Sequence, residues 1–140
     1  MSLYDKLMAV DDNVVREKRT KEVHSARLSA LFGVDTSVTI QNLPYRQVKK
    51  IMNNALKDNG RPDPDRSVDA ECHIIRLAVK DIPWGDEQLQ KKFGASDPKD
   101  LVEKMFDYDI GRISDEIVEL SGYGEEAESE EKELEEEVKN

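Results

Sequence analysis

Apolar residues recur with helical spacing through most of the chain after residue 44. In residues 48–56 they fall at i, i+3, i+4, i+7 and i+8, which is one face of an amphipathic helix. Residues 66–80 are apolar around much of the helical circumference, which predicts the central helix of the fold. Shorter helices are predicted from the apolar residues of segments 87–93, 98–106 and 110–120.

Capping and turn residues bound these predicted helices. Asn59-Gly60 ends the first of them, and Asp86 can cap the helix of segment 87–93. Asp97-Pro98 offers a capping carboxylate followed by proline at a first helical position. A short amphipathic helix is predicted for residues 3–10. The basic stretch that follows, up to residue 21, shows no clear period and predicts a flexible lead-in.

Strand-like alternation is confined to the stretch near residues 22–43. Residues 37–43 alternate apolar and polar side chains, and residues 22–28 form a weaker partner strand, although 28–32 fits a helical turn equally well. We therefore predict a mainly α (α+β) fold. It has about five to six helices packed around a central helix, with a small β-hairpin near residues 22–43.

Charge divides the chain into three parts. Residues 125–140 carry nine Glu against Lys132 and Lys139, a net charge of −7 out of −10 for the whole chain. Near the other end, basic residues outnumber acidic ones between residues 16 and 27. These segments could attract each other, or each could serve a partner. We predict an N-terminal helix and basic lead-in (1–21), a helical domain (22–123) and a disordered acidic C-terminal tail (124–140).

Composition also limits the compartment. Cys72 is the one cysteine, so the chain has no intrachain disulfide, which is typical of a reducing compartment. No apolar stretch approaches the ~20 residues of a membrane span, and the first residues do not resemble a signal peptide. We therefore expect a cytoplasmic protein without membrane contact.

Candidate reactive residues do not form a recognisable catalytic or metal-binding pattern. Cys72 and His73 are adjacent, and neighbours on a helix point about 100° apart, so they do not face each other. His24 and the carboxylates of Asp63 and Asp65 lack the paired spacing of metal ligands. We expect neither an enzyme nor a protein that needs a metal or cofactor.

Aromatic and apolar side chains near helix ends are the candidates for binding a partner. Trp84, which lies between two predicted helices, either fills the core or anchors a partner. The predicted partner-binding residues are Trp84, Leu89, Phe93, Phe106, Tyr108 and Tyr123.

The order of these segments resembles the XkdN-like phage tail assembly chaperones. The resemblance starts at Val38-Thr39-Ile40-Gln41-Asn42-Leu43, where that family has a strand entering a helix, and continues through helices 46–56 and 69–79. It includes Leu89-Gln90-Lys91-Lys92-Phe93-Gly94-Ala95, similar to the family's L-x-x-x-Y-G-V. It ends with a helix closed by Ser121-Gly122-Tyr123.

The resemblance implies a protein that binds tape measure or tail tube protein before assembly. Such a protein would act in the cytoplasm of the bacterial host, from a phage or prophage, and would be missing from the mature virion. The alternative function is a nucleic-acid-associated regulator that uses the basic N-terminal segment, although the net charge opposes binding to a polyanion. Related genes are often read by translational frameshift, and Val138-Lys139-Asn140 is compatible with a slippery A-AAA-AAY sequence.

Overall fold

The computed structural model describes residues 2–123, with side chains up to residue 122. The predicted acidic tail, the end of the chain considered for a frameshift and the side chain of Tyr123 lie outside the described part. The helices are α1 (Leu3–Ala9), α2 (Asp12–Arg16), α3 (Ala26–Phe32), α4 (Tyr45–Asn54), α5 (Pro64–Ala78), α6 (Glu87–Lys92), α7 (Pro98–Phe106) and α8 (Ile110–Val118). A 3-10 turn (Asp107–Asp109) joins α7 to α8, a π-helical segment (Glu119–Tyr123) follows α8, and the strands are β1 (Thr20–His24) and β2 (Ser37–Gln41).

Helix α5 is the centre of the fold, as its sequence predicts. Its start is fixed by the Asp63 carboxylate, which accepts hydrogen bonds from the backbone N–H groups of Asp65 and Arg66, while Pro64 occupies the first turn. It packs against α4, α7, α8 and β2. Because it is surrounded, residues on several of its faces are buried.

The mainly α fold with a small antiparallel sheet is confirmed, and several predicted helix starts are found. The Asp86 carboxylate accepts from the N–H of Leu89 at 2.9 Å, and that of Asp97 accepts from the N–H of Asp100 at 2.8 Å. The core combines residues from the sheet and from the five helices α3, α4, α5, α7 and α8. Its largest fully buried side chains are Phe106, Ile40, Ile75, Leu101, Ile113 and Ile117.

The first strand and the lead-in differ from the prediction. Strand β1 runs from Thr20 to His24 rather than over 22–28, and it pairs antiparallel with β2, with Val23 opposite Val38. The strands are joined through helix α3 instead of a tight hairpin turn, because the Ser25 hydroxyl accepts from the N–H of Leu28 and begins a helix there. Helix α2 occupies part of the predicted lead-in.

A buried carboxylate fastens α3 to the helical body. Asp109 Oδ2 accepts from the Ser25 hydroxyl at 2.8 Å and from the backbone N–H of Arg27 at 2.9 Å. Ser25 is fully buried and Asp109 nearly so. Arg112 lies beside the same carboxylate at 3.6 Å and donates to the carbonyl oxygen of His24. The side chains of Asp109 and Arg112 therefore join the end of β1 and the start of α3 to the start of α8.

We expect Asp109→Ala to lower the free energy of unfolding by about 2–4 kcal/mol, because a buried hydroxyl and a buried N–H lose their acceptor. Asp58→Ala, which changes an exposed carboxylate, should stay within about 0.5 kcal/mol of the wild type. Urea unfolding followed by circular dichroism measures both. Equal stability of the two variants would contradict the fastening role of Asp109.

Candidate partner-binding surface

The N-terminal arm, residues 2–16, carries an exposed row of large apolar side chains. None of the residues of α1 or α2 is buried. The exposed apolar side chains of the arm are Leu3, Tyr4, Leu7, Met8, Val10, Val14 and Val15. Single exposed apolar residues are ordinary on a protein surface, but a contiguous group of this kind marks an interaction site.

Local hydrogen bonds, rather than packing, shape helix α1. The Ser2 hydroxyl accepts from the N–H of Asp5, and the Asp5 carboxylate accepts from the N–H of Ser2, which together form a capping box. Leu3, Leu7 and their neighbours then lie on one face. An isolated helix shorter than about 12 residues is marginal in water. A partner that covers the apolar face of helix α1 would therefore stabilise the helix.

A second apolar surface is a groove of about 860 Å³ between α3, the end of α6 and α7. Leu31 and Phe32, at the end of α3, form one wall and are exposed. Phe93 lies across from them and is half-buried, since it also packs against the core. The apolar groove can accept side chains from a partner without rearrangement of the body.

Charged side chains line the rest of the groove. These side chains are Arg27, Lys92, Glu103, Lys104 and Asp107. Lys104 is already engaged, since its ammonium donates to Asp100 and to the carbonyl oxygen of Gly94, each at 2.7 Å. The Arg27 Nε atom is buried and has no hydrogen-bond partner among the described residues. The groove is therefore lined by apolar side chains together with charged ones, and protein interfaces combine both kinds.

The backbone of Asp107 is strained at one edge of this groove. Its φ of 46° and ψ of −116° fall in a region that residues with a side chain rarely adopt. Such a conformation costs on the order of 1–3 kcal/mol and persists only where the surroundings enforce it. Phe106 and Asp109, buried on either side of the turn, supply that enforcement.

The structure separates the predicted partner-binding residues into different settings. Trp84 is 7% exposed and Phe106 is 0% exposed, and their rings contact each other with centroids 6.0 Å apart. The Trp84 indole N–H donates to the carbonyl oxygen of Val79 at 3.0 Å, so this tryptophan fills the core. Leu89 packs against the core with part of its surface free, as Phe93 does.

Among the members of the predicted set whose side chains are described, Tyr108 is the most accessible, with 63% of its surface exposed. The side chain of Tyr123 is not described. Sequence reasoning missed Leu31 and Phe32, and it recognised the apolar face of α1 without assigning it to a partner. Two adjacent apolar residues directly before Gly33 are the signal that could have indicated an exposed helix end.

The candidate reactive residues lie apart from these surfaces. Burial, followed by the nearby carboxylates of Glu103 and Asp69, raises the pKa of the Cys72 thiol to about 12, so the thiol stays protonated at neutral pH. Burial and the Arg76 guanidinium lower the pKa of His73. His24 instead contacts Asp35 at 2.7 Å, next to β1. Among residues 2–123, no group of three or more potential ligands could hold a metal ion.

The exposed apolar residues do not belong to a membrane span. No helix within the described residues has both the length and the apolar character to cross a bilayer.

The profile of a protein family, described as Phage XkdN-like tail assembly chaperone protein, matches residues 4–139. The chain belongs to this family. Comparisons with curated proteins and with solved structures find no match. As an XkdN-like chaperone, the protein is a tail assembly chaperone of a phage and acts in the host cell during assembly. Family membership implies that its partners are, in general, other tail proteins.

We expect Phe32→Ser to leave the unfolding free energy of this chaperone within about 0.5 kcal/mol of the wild type, because the ring is 60% exposed. Trp84→Ala should cost about 3–5 kcal/mol, because it empties a buried site and breaks the indole hydrogen bond. Thermal unfolding of both variants measures the difference. If Phe32→Ser proved as destabilising as Trp84→Ala, the groove wall would belong to the core instead of to a binding surface.

Proposed function

We propose that this chaperone binds the tape measure protein, the tail tube protein or both before assembly, and that it does so without catalysis. The observation that carries the proposal is the display of large apolar side chains on the arm (residues 2–16) and on the groove wall at Leu31 and Phe32. A tape measure protein, as the family resemblance implies, is long and helical with apolar faces that aggregate unless they are covered. An amphipathic helix seated on an apolar surface provides that cover.

The two surfaces would contribute differently to a client complex. The groove is set on the packed body, so binding there costs little ordering of the chaperone. The arm has no buried residue of its own, so its helices would become more firmly ordered on contact. A host-cytoplasmic location and release before the virion is complete are part of the same proposal.

Co-expression with the tape measure protein and the tube protein of the same phage tests the proposal. We expect at least one of them to co-purify with the wild-type chain. Leu3→Ser/Leu7→Ser and Leu31→Ser/Phe32→Ser should each weaken binding by about tenfold or more, as the loss of an interface anchor does. Titration calorimetry with the captured client measures the change.

Matched polar variants provide the control for this experiment. Lys6→Ser/Asp12→Ser alters the arm, and Lys50→Ser/Lys57→Ser alters exposed residues outside both surfaces; neither removes an apolar side chain. Both controls should bind like the wild type. Capture of neither tail protein, or binding unaffected by either apolar pair, would contradict the proposal.

A second candidate function, association with nucleic acid, has one observation in its favour. Arg16, Lys18 and Arg19 are exposed and make no ion pair with any described residue. This function requires binding of duplex DNA that falls steeply with added salt. A gel shift at low salt measures it, and the net charge of −10 leads us to expect no shift with the full chain.

A further inference from the structure

The basic segment Arg16–Lys21 lies near the last described residues of the chain. Lys21 contacts Glu116 on α8 at 2.6 Å. The backbone N–H of Arg19 donates to Asn42 Oδ1 at 2.8 Å, and the backbone N–H of Asn42 donates to the carbonyl oxygen of Arg19 at 3.0 Å. The N–H of Leu43, the next residue, donates to the Ser121 hydroxyl at 2.9 Å. Through these contacts, Arg19 lies close to the last described residues.

Residues 124–140 follow directly and carry the opposite charge. They hold nine Glu and two Lys, a net charge of −7, whereas the basic segment 16–21 holds four cations against Glu17. Each extended residue spans up to about 3.3–3.6 Å, so this length of chain easily reaches Arg16 from residue 123. An intramolecular partner that starts next to its site has an effective concentration in the millimolar range.

The basic segment also carries positive charges that form no ion pair with the described part of the chain. Arg16, Lys18 and Arg19 are exposed without an ion pair to residues 2–123. Several glutamates spread along one segment can meet these three cations at once, which exceeds the small contribution of an isolated surface pair. Attraction of this kind acts over about 10 Å at 0.1 M salt and over about 3 Å at 1 M.

We propose that the acidic segment 124–140 docks back on the basic segment Arg16–Lys21 of the same chain. The docked segment neutralises the exposed cations beside the arm (residues 2–16) and occupies the surface that nucleic acid would otherwise use. Docking is electrostatic, so it is released by salt. This inference does not depend on the proposed client, since both of its partners belong to this chain.

Paramagnetic relaxation in the full-length protein tests the docking. A nitroxide attached at Ser129→Cys reports on the acidic segment, and the native Cys72 need not be replaced because it is buried and its thiol stays protonated. At about 20 mM salt we expect the amide signals of residues 16–21 to lose at least half of their intensity relative to the reduced label. At about 0.5 M salt the signals should recover, because the charges are screened.

Two charge variants decide whether the basic segment is the site. Arg16→Gln/Lys18→Gln/Arg19→Gln should abolish the signal loss, whereas Lys50→Gln/Lys57→Gln/Lys91→Gln, which removes the same charge from other exposed positions, should retain it. Signal loss that is equal in both variants, or centred on the groove at α3 and α6, would overturn the proposal.

A mixing experiment separates docking within one chain from docking between chains. Protein that carries the nitroxide but no ¹⁵N is mixed with ¹⁵N protein that carries no nitroxide. The amide signals of residues 16–21 should then keep their intensity. Signal loss in the mixture that equals the loss in the doubly labelled chain would show contact between molecules and overturn the intramolecular claim. A wild-type sample treated with the nitroxide reagent should remain unlabelled, and the measurement requires no tail protein.

Discussion

The carboxylate of Asp109 is the interaction on which the arrangement of this chaperone depends. It accepts from the Ser25 hydroxyl and from the N–H of Arg27, while Ser25 itself begins α3 by accepting from Leu28. The start of α3 is therefore held against the turn between α7 and α8. Leu31 and Phe32 extend from the other end of the same short helix, so the groove wall faces α7 because this buried contact orients the helix.

The two apolar surfaces differ in what stabilises them. The groove is formed by elements that are fixed to the core on their other sides, as Phe93 shows by packing inward while it lines the groove. The arm is held by its own capping hydrogen bonds and by its connection to β1. A rigid groove favours selectivity through shape, whereas a short exposed helix adapts its angle to apolar segments that vary along a client. Together they would suit the long tail protein that we propose as the client.

Local patterns in the sequence predicted the parts of this fold that local interactions determine. The apolar spacing predicted helices α4 and α5, and the capping residues Asp86 and Asp97 predicted the starts of α6 and α7. Both signals depend only on residues a few positions apart. Helix α3 was read partly as a strand, since the partner that fixes Ser25 lies 84 residues away. Phe106 was predicted as a partner contact and Trp84 as either a core residue or an anchor. The turn after α5 brings the Trp84 indole back over Val79, in agreement with the core alternative. Long-range packing of this kind decides which aromatic residues remain exposed, and the local sequence pattern does not predict that packing.

The strain at Asp107 connects the core to the groove. A residue with a side chain holds φ 46° only where its neighbours fix the backbone. Here Phe106 is buried in the core before Asp107, and Asp109 accepts hydrogen bonds from the start of α3 after it. Relaxing the turn would have to withdraw one of these buried groups, at a cost comparable to or larger than the strain itself. The turn is therefore held in a conformation that places Asp107 among the residues that line the groove. The same buried contacts that stabilise the body thus determine the shape of the groove that we propose as a client-binding surface.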